Sequence, residues 1–556
     1  MPSLSHPQAA AGTTAESARP RPAAPTGIER DPVAAAVPAA PGVEQRVTIR
    51  DQHLRLLQVT LRDQTDVHNE LVQVNEWLLH PSEKLELQGN VFVVENTLTG
   101  AGRVLLKLAP LPHARPGPGA VDLRVAPRDD SGFDFTLYRA ADEGEFVDLP
   151  FVGGVAGRTR ALQQFQRSRA QTAPEHRLPR FLSNTWGDRS RDSRIRVEFI
   201  EKEIAAGARL GVEVVQIDDG WQKGITQNSA RSGGQGLWQG FWAARPDFWE
   251  PDPVKFPGGL QPLARQAAAH GLALGLWFAP DSVNDFANWE KDAACLTAFF
   301  RQHGIAHFKI DGVHAPNARA HVNLNRFFAA VLRDTGGRVV FDLDVTAQLR
   351  PGYFGLIGTG PLFVENRYTD WHRYWPHQTL RNLWQLAWWV DPNRLRMEFL
   401  NQARNQEKYA DDPLAPVRYA PDALFATVFF SNPLGWFEVS NLPDDYFERL
   451  PALVATWKQC RAELFGGTIF PLGQAPDGSA WTGFAAVADD GKSALALVFR
   501  ELNPSAAGSL ALPGFHAGNS ARCDVLAGRG SAAWTGDVLH ISDAAPLGYT
   551  LVRITG

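Results

Sequence analysis

Two short runs, QIDDGW at residues 216–221 and HFKIDG at 307–312, set carboxylates just past apolar, strand-like segments. An aspartate in that position can simply cap the helix that follows. Two such runs in the same register point further, because acids at the mouths of buried parallel strands converge on one face of a (β/α)8 barrel. Adjacent carboxylates such as Asp218, Asp219 and Asp311 repel, so each must be raised in pKa, paired with a cation or hydrogen-bonded to a ligand's hydroxyls. Glycoside hydrolysis uses that chemistry: one carboxylate attacks or stabilises the anomeric carbon, a second protonates the leaving oxygen, and others hold sugar hydroxyls. Lys309 stands two residues before Asp311 and faces the same side of a strand, where its charge would keep Asp311 ionised.

The elements that must position these groups follow from the alternation of apolar strands with amphipathic helices beyond Phe181, the pattern of a parallel β/α architecture. Eight strands are expected, at 181–186, 212–217, 272–278, 306–310, 338–343, 361–366, 395–400 and 435–440. Between the first two, Val197, Ile200, Ile204 and Ala208 recur at helical spacing and Gly211 supplies a stop. Eight such units close a barrel. Register then brings Trp186, Asp218, Asp219, Trp221, Trp277, Asp281, Lys309, Asp311, Asp342, Asp344, Glu365, Asn401 and Glu438 to its mouth, an acid-rich cup with aromatic walls and one lysine.

A chain of 556 residues is too long for one ordinary domain. Residues 1–43 are rich in Ala and Pro without periodicity and are expected to form a disordered tail. Residues 44–165 alternate in short segments bounded by Gly, Pro and Asp, an N-terminal β-sandwich; 166–465 form the catalytic TIM barrel; 466–556 return to alternation, a C-terminal antiparallel β-sandwich. The fold class is therefore multidomain β plus (β/α)8.

A net charge of −5 without a Lys/Arg block argues against nucleic acid or an anionic membrane as partner, and no apolar run reaches the length of a membrane span. Cys295, Cys460 and Cys523 lie far apart, so neither a disulfide framework nor a metal site is expected. No cofactor is expected either. A cytoplasmic location is the default, and the sequence leaves a homo-oligomer open.

Several pieces together resemble glycoside hydrolase family 36, the α-galactosidases and raffinose-synthase-like enzymes: SNTW at 183–186, VVQIDDGW at 214–221, KFPGGL at 255–260, GLWFAPDSVN at 275–284 and FKIDG at 308–312. The resemblance extends over about residues 45–556 and implies an exo-acting retaining hydrolase releasing a terminal α-linked sugar, most readily α-galactose, from an oligosaccharide or other glycoside. It implies that Asp311 is the nucleophile, that Asp218, Asp219 and Lys309 bind sugar hydroxyls, and that Trp186 and Trp221 line the pocket. The family's Cys and Gly-rich loop after strand five is missing from FDLDVTAQLRPGYF, so Asp342, Asp344 or Arg350 takes over recognition near the sugar's 2-position. On strand six FVENRYTDWHRYWP replaces the usual acid-bearing element; matching by strand end favours Glu365 as the acid/base, at the same depth as Asp311, with Asp370 of the later Thr-Asp element as the alternative. Arg367, Tyr368, Trp371, His372 and His377 crowd that loop, as a wall for the leaving sugar or as packing. Transfer of the sugar to another sugar, and a non-catalytic carbohydrate-binding barrel, are the alternative functions.

Overall fold

Each apolar run followed by an amphipathic helix becomes one unit of a closed barrel of eight parallel strands in the computed structural model, which describes residues 42–62, 65, 68–110, 121–140, 144–347, 350–516 and 521–556. Residues 1–41 of the expected tail lie outside them. The barrel strands are β1 (Leu182–Asn184), β2 (Val214–Ile217), β3 (Ala273–Phe278), β4 (His307–Ile310), β5 (Val340–Asp344), β6 (Leu362–Phe363), β7 (Leu395–Leu400) and β8 (Asn432–Trp436). Closure comes from β1 pairing with β8, Leu182 against Leu434. The eighth strand starts three residues before its expected position, at Asn432 rather than Gly435. Phe437 and Val439 remain fully buried beyond it, so the apolar pattern outlasts the hydrogen-bonded ladder.

The helix Val197–Leu210 buries Ile200 and Ile204 of the expected stripe together with Phe199, Glu203, Gly207 and Leu210, while Val197 and Ala208 pack half-buried against the same core. Gly211 ends it with φ 91°, in the left-handed region that favours glycine, and a Cβ there would stand 2.9 Å from Val454.

Two sheets precede the barrel, one of four strands and one of five. Leu56, Phe92, Val94, Leu105, Val125 and Phe135 fill the space between them. The opposite face of the five-stranded sheet, including Val59, Val91, Val93 and Val104, joins the core of the barrel, so this sheet is buried on both faces. After the barrel, a five-stranded and a three-stranded sheet enclose a separate core around Phe470, Val498, Trp534 and Ile541. All described residues belong to one compact unit. Among them no helix is long and apolar enough to cross a membrane, and no cluster of His, Cys, Asp or Glu could hold a metal ion.

A helix at Gly154–Ser168 connects the N-terminal sheets to the barrel, and its buried face is largely polar. Gln163 explains this: its side chain donates to the Ile469 carbonyl at 2.7 Å and accepts from the Ile469 N–H at 2.9 Å, completing the start of the C-terminal sandwich. Gln166 donates to the Trp389 carbonyl at 3.0 Å and accepts from the Asp391 N–H at 3.1 Å. Three parts of the chain therefore meet on two glutamines. Gln163→Ala strands a buried N–H and a buried C=O, each costing about 1–3 kcal/mol. Urea titration followed by tryptophan fluorescence is expected to show a loss of that order, and a variant as stable as the parent would refute the joint.

Candidate active site

Strand β4 carries the centre of the site because its register sets Lys309 beside Trp277 of β3 and Asp342 of β5. Alternation points Lys309 into the barrel, where its ammonium group donates to Asp218 Oδ2 at 3.1 Å and stands 3.7 Å from Asp344 Oδ2. Beneath it lie the rings of Trp436, 4.9 Å from Nζ to centroid, and Phe363, at 5.3 Å. Burial works against the charge on Lys309, but Asp218, Asp344 and Asp311 outweigh it and raise its pKa above the usual lysine value.

Asp218 is held from three sides. Its Oδ2 also accepts from Asn184 Nδ2 at 2.7 Å, its Oδ1 accepts from the Asp219 N–H at 2.9 Å, and its own N–H donates to Thr185 Oγ1 at 3.0 Å. Asn184 was not singled out in the sequence, although the SNTW run contains it.

Asp311 follows the last residue of β4. Its Oδ1 accepts from the Gly312 N–H at 2.6 Å and from Arg350 at 3.3 Å, and its Oδ2 from Trp277 Nε1 at 3.4 Å. Burial would raise its pKa, yet the charges of Arg350 and Lys309 and the bonds from Gly312 and Trp277 prevail and hold it below the usual carboxylate range. Among the four ionisable groups of the cup it is also the most open, with a side chain 15% exposed against 3% for Asp218, 6% for Asp344 and 7% for Lys309. Asp344 is the opposite case. Burial first, then the Asp311 charge, pushes it up to about 6, while Thr346 donates to its Oδ1 through N–H at 3.1 Å and hydroxyl at 2.7 Å.

Several expected members lie elsewhere. Asp219 turns away from Asp218 to accept from Gln222 Nε2 at 2.8 Å and from the Thr226 hydroxyl, and burial pushes it up to about 7. Trp221 donates from its indole to the Trp277 carbonyl at 2.8 Å and packs on Trp249 and Phe299 inside the core, so it does not wall the cup. Both corrections have one cause: β2 ends at Ile217 and the chain bends at Gly220, φ 115°, where a Cβ would stand 2.1 Å from the Cβ of Asp192. Asp281 pins loops, accepting from Gly240 N–H at 2.6 Å and Asn288 at 3.0 Å. Asp342 lies lower in the barrel, paired with Arg396 at 2.8 Å. Glu438 is tied to Arg194 and accepts from Asn441 at 2.7 Å.

Strand β6 separates the two acid/base candidates. It is two residues long, so its alternation stops before Glu365. Glu365 accepts from the Thr379 hydroxyl at 2.6 Å and from Asn382, both on the helix Pro376–Leu386, and is 1% exposed. Arg367 donates to the backbone carbonyls of Thr65 and of His68, the latter at 2.7 Å, and so anchors an N-terminal loop and not a ligand. Asp370 stands at the rim with its side chain 32% exposed: its Oδ2 is 3.3 Å from Arg189 Nε, and its Oδ1, itself buried, has no partner among the described residues. The Arg189 guanidinium lies over Tyr368 at 4.5 Å and Trp371 at 4.4 Å, and Trp371 is 42% exposed. Trp186 is half-buried against the cluster of Tyr368, Tyr374 and Trp436. The site as built offers a partly open carboxylate with a lowered pKa, fixed polar groups around it and an aromatic rim.

Residues 149–294 match the family model described as melibiase. The sequence is 26% identical to an alpha-galactosidase of Escherichia coli over 172 residues, 31% of this chain and 21% of that one. It is 31% identical to alpha-galactosidase AgaA of Geobacillus stearothermophilus over 163 residues, 27% of this chain and 19% of that one. The matched stretches thus span about a fifth of these relatives' length. In fold, the crystal structure of that GH36 enzyme AgaA covers 92% of this chain and 76% of its own at a TM-score of 0.65 and 15% identity. A variant of it in complex with raffinose covers the same shares at 0.64 and 14%.

The raised pKa of Asp344 has a consequence for stability. A carboxyl whose folded pKa, about 6, exceeds its ordinary value of 3.8 binds its proton more tightly in the folded chain, so its contribution falls as pH rises between those values. Asp344→Asn removes that loss. At pH near 7.5 the variant is expected to be more stable by roughly 1–3 kcal/mol, the difference vanishing near pH 4. Thermal midpoints at the two pH values check this, and an equal shift at both would refute it.

Proposed function

This is a melibiase-like chain with the architecture of glycoside hydrolase family 36, and we propose that it is an exo-acting retaining hydrolase that releases terminal α-galactose from oligosaccharides of the raffinose type. The observation that carries the reading is Asp311: an ionised carboxylate, open to the cup, steadied by Arg350 at 3.3 Å and Trp277 at 3.4 Å.

Asp311 attacks the anomeric carbon and becomes covalently bound through one oxygen as the glycosidic bond breaks. The neighbouring cations lower its pKa, which fixes its protonation state, and the N–H donors fix its direction. Asp218 and Lys309 hold hydroxyls away from the reacting bond, so that their binding energy orients the carbon for attack. Asp344, adjoining Asp311 on the next strand, contacts the hydroxyl beside the anomeric carbon in place of the family's missing loop.

Asp370 is the acid/base. Protonating the leaving oxygen and then deprotonating water requires a carboxyl that can exchange protons with solvent, and the Asp370 side chain at the rim is 32% exposed whereas Glu365 is 1% exposed. Glu365, bonded through both oxygens to Thr379 and Asn382, is committed to the fold. Trp371 and Tyr368 then stack on the leaving sugar.

Asp311→Asn is expected to reduce turnover of an aryl α-galactoside by about three orders of magnitude or more with an unchanged circular dichroism spectrum; near parental rates would sink the assignment. Asp370→Ala is expected to lose far more activity on raffinose than on an aryl galactoside with a good leaving group. Azide should then rescue it as α-galactosyl azide, observed by NMR. Parental activity of Asp370→Ala on raffinose, with loss in Glu365→Gln, would transfer the role to Glu365. Product analysis at high acceptor sugar separates hydrolysis from galactosyl transfer, and binding without turnover would leave a carbohydrate-binding barrel.

A further inference from the structure

At the opposite pole of the barrel, beneath the first residues of β4, β5, β7 and β8, lies a cavity of about 300 Å³. Its lining includes Arg177, Arg180, Arg394, His307 and Asn393, and its one carboxylate among the described residues is Asp391. That carboxylate is already used: Arg167 donates to both its oxygens, at 2.8 and 3.1 Å. Arg396, which also reaches the cavity, spends its charge on Asp342 deeper in the barrel at 2.8 Å.

Arg177, Arg180 and Arg394 therefore remain without a carboxylate in ion-pair range among the described residues. Arg394 is 8% exposed; it donates to Gln166 Oε1 and the Tyr353 carbonyl, each at 2.8 Å, while its Nε has no partner. Those acceptors are neutral. Burial lowers its pKa to about 10. His307, 4% exposed, likewise leaves Nδ1 without a partner. Uncompensated buried charge is costly, and an anion is the natural counterpart of guanidinium groups that line a cavity without a carboxylate partner.

We propose that this cavity is a binding site for a small phosphate-bearing anion, separate from the sugar cup. The guanidinium groups of Arg180 and Arg177 would donate to its oxygens, and the buried charge of Arg394 in the wall would be compensated by it. A volume of about 300 Å³ is at the small end of small-molecule sites and admits more than the bare ion, so a phosphorylated sugar and free phosphate share the required chemistry.

Calorimetric titration of the full chain with inorganic phosphate and with glucose 6-phosphate, at constant ionic strength, tests this. One site per chain is expected, weakened about tenfold or more in Arg180→Gln, a half-buried position whose loss leaves the core intact. Arg394→Gln serves as a second variant where its thermal midpoint shows it folded. Asp311→Asn should bind both anions as the parent does. Tighter binding of glucose 6-phosphate identifies a sugar phosphate as occupant, and equal binding identifies phosphate itself. Absence of saturable binding up to about 10 mM, binding unchanged in Arg180→Gln, or loss of binding in Asp311→Asn would overturn the proposal.

Discussion

The interior of the barrel depends on a column of alternating charge along its axis. Arg396 pairs with Asp342, Lys309 lies between Asp218 and Asp344, and Asp311 faces Arg350. Removing such groups from water is expensive, and mutual attraction offsets the cost only when geometry and hydrogen bonds are complete. Four carboxylates face three cations here. The surplus is relieved at Asp344 and Asp342, whose pKa values rise, rather than at Asp311, whose pKa falls. The ionisation of the candidate nucleophile is thus a property of the whole column and not of one neighbour. Glu398, accepting from the Arg367 N–H at 2.6 Å, is pushed up by burial and by Glu365, which keeps further negative charge out of the same space.

Such a column needs a rigid surround. Trp277, whose indole reaches Asp311, is packed between Trp238 and Trp249, and Trp249 in turn meets Trp221 and Phe278. Much of the tryptophan that a sequence reader would assign to sugar stacking serves here to fix a hydrogen-bond donor.

The barrel and the groups on its longer strands were legible because periodicity holds within a strand. Asp218, Trp277, Lys309 and Asp344 face the interior as alternation requires, and Asp311 continues that register by one step. Legibility ends where the ladder ends. Asp219 and Trp221 follow a bend at Gly220, and Glu365 and Arg367 follow a strand of two residues, so their directions are set by Thr226, Trp277, Thr379 and Thr65, partners distant from any local pattern. Arg350 could be named as a candidate from composition alone, but its contact with Asp311 depends on how the β5 loop folds back.

The guanidinium of Arg367 reaches a backbone carbonyl 302 positions earlier in the chain. The loop that carries Asp370 and Trp371 is thereby tied to a connection of a sheet from which no described residue contacts the ionisable groups of the cup. An insertion or shortening between the strands Leu54–Leu61 and Val72–Leu78 of that sheet would re-aim the rim without altering a single residue of the barrel. Preference for the departing group can in this way drift independently of preference for the sugar that is held, one being inherited through the sheet and the other through the strands.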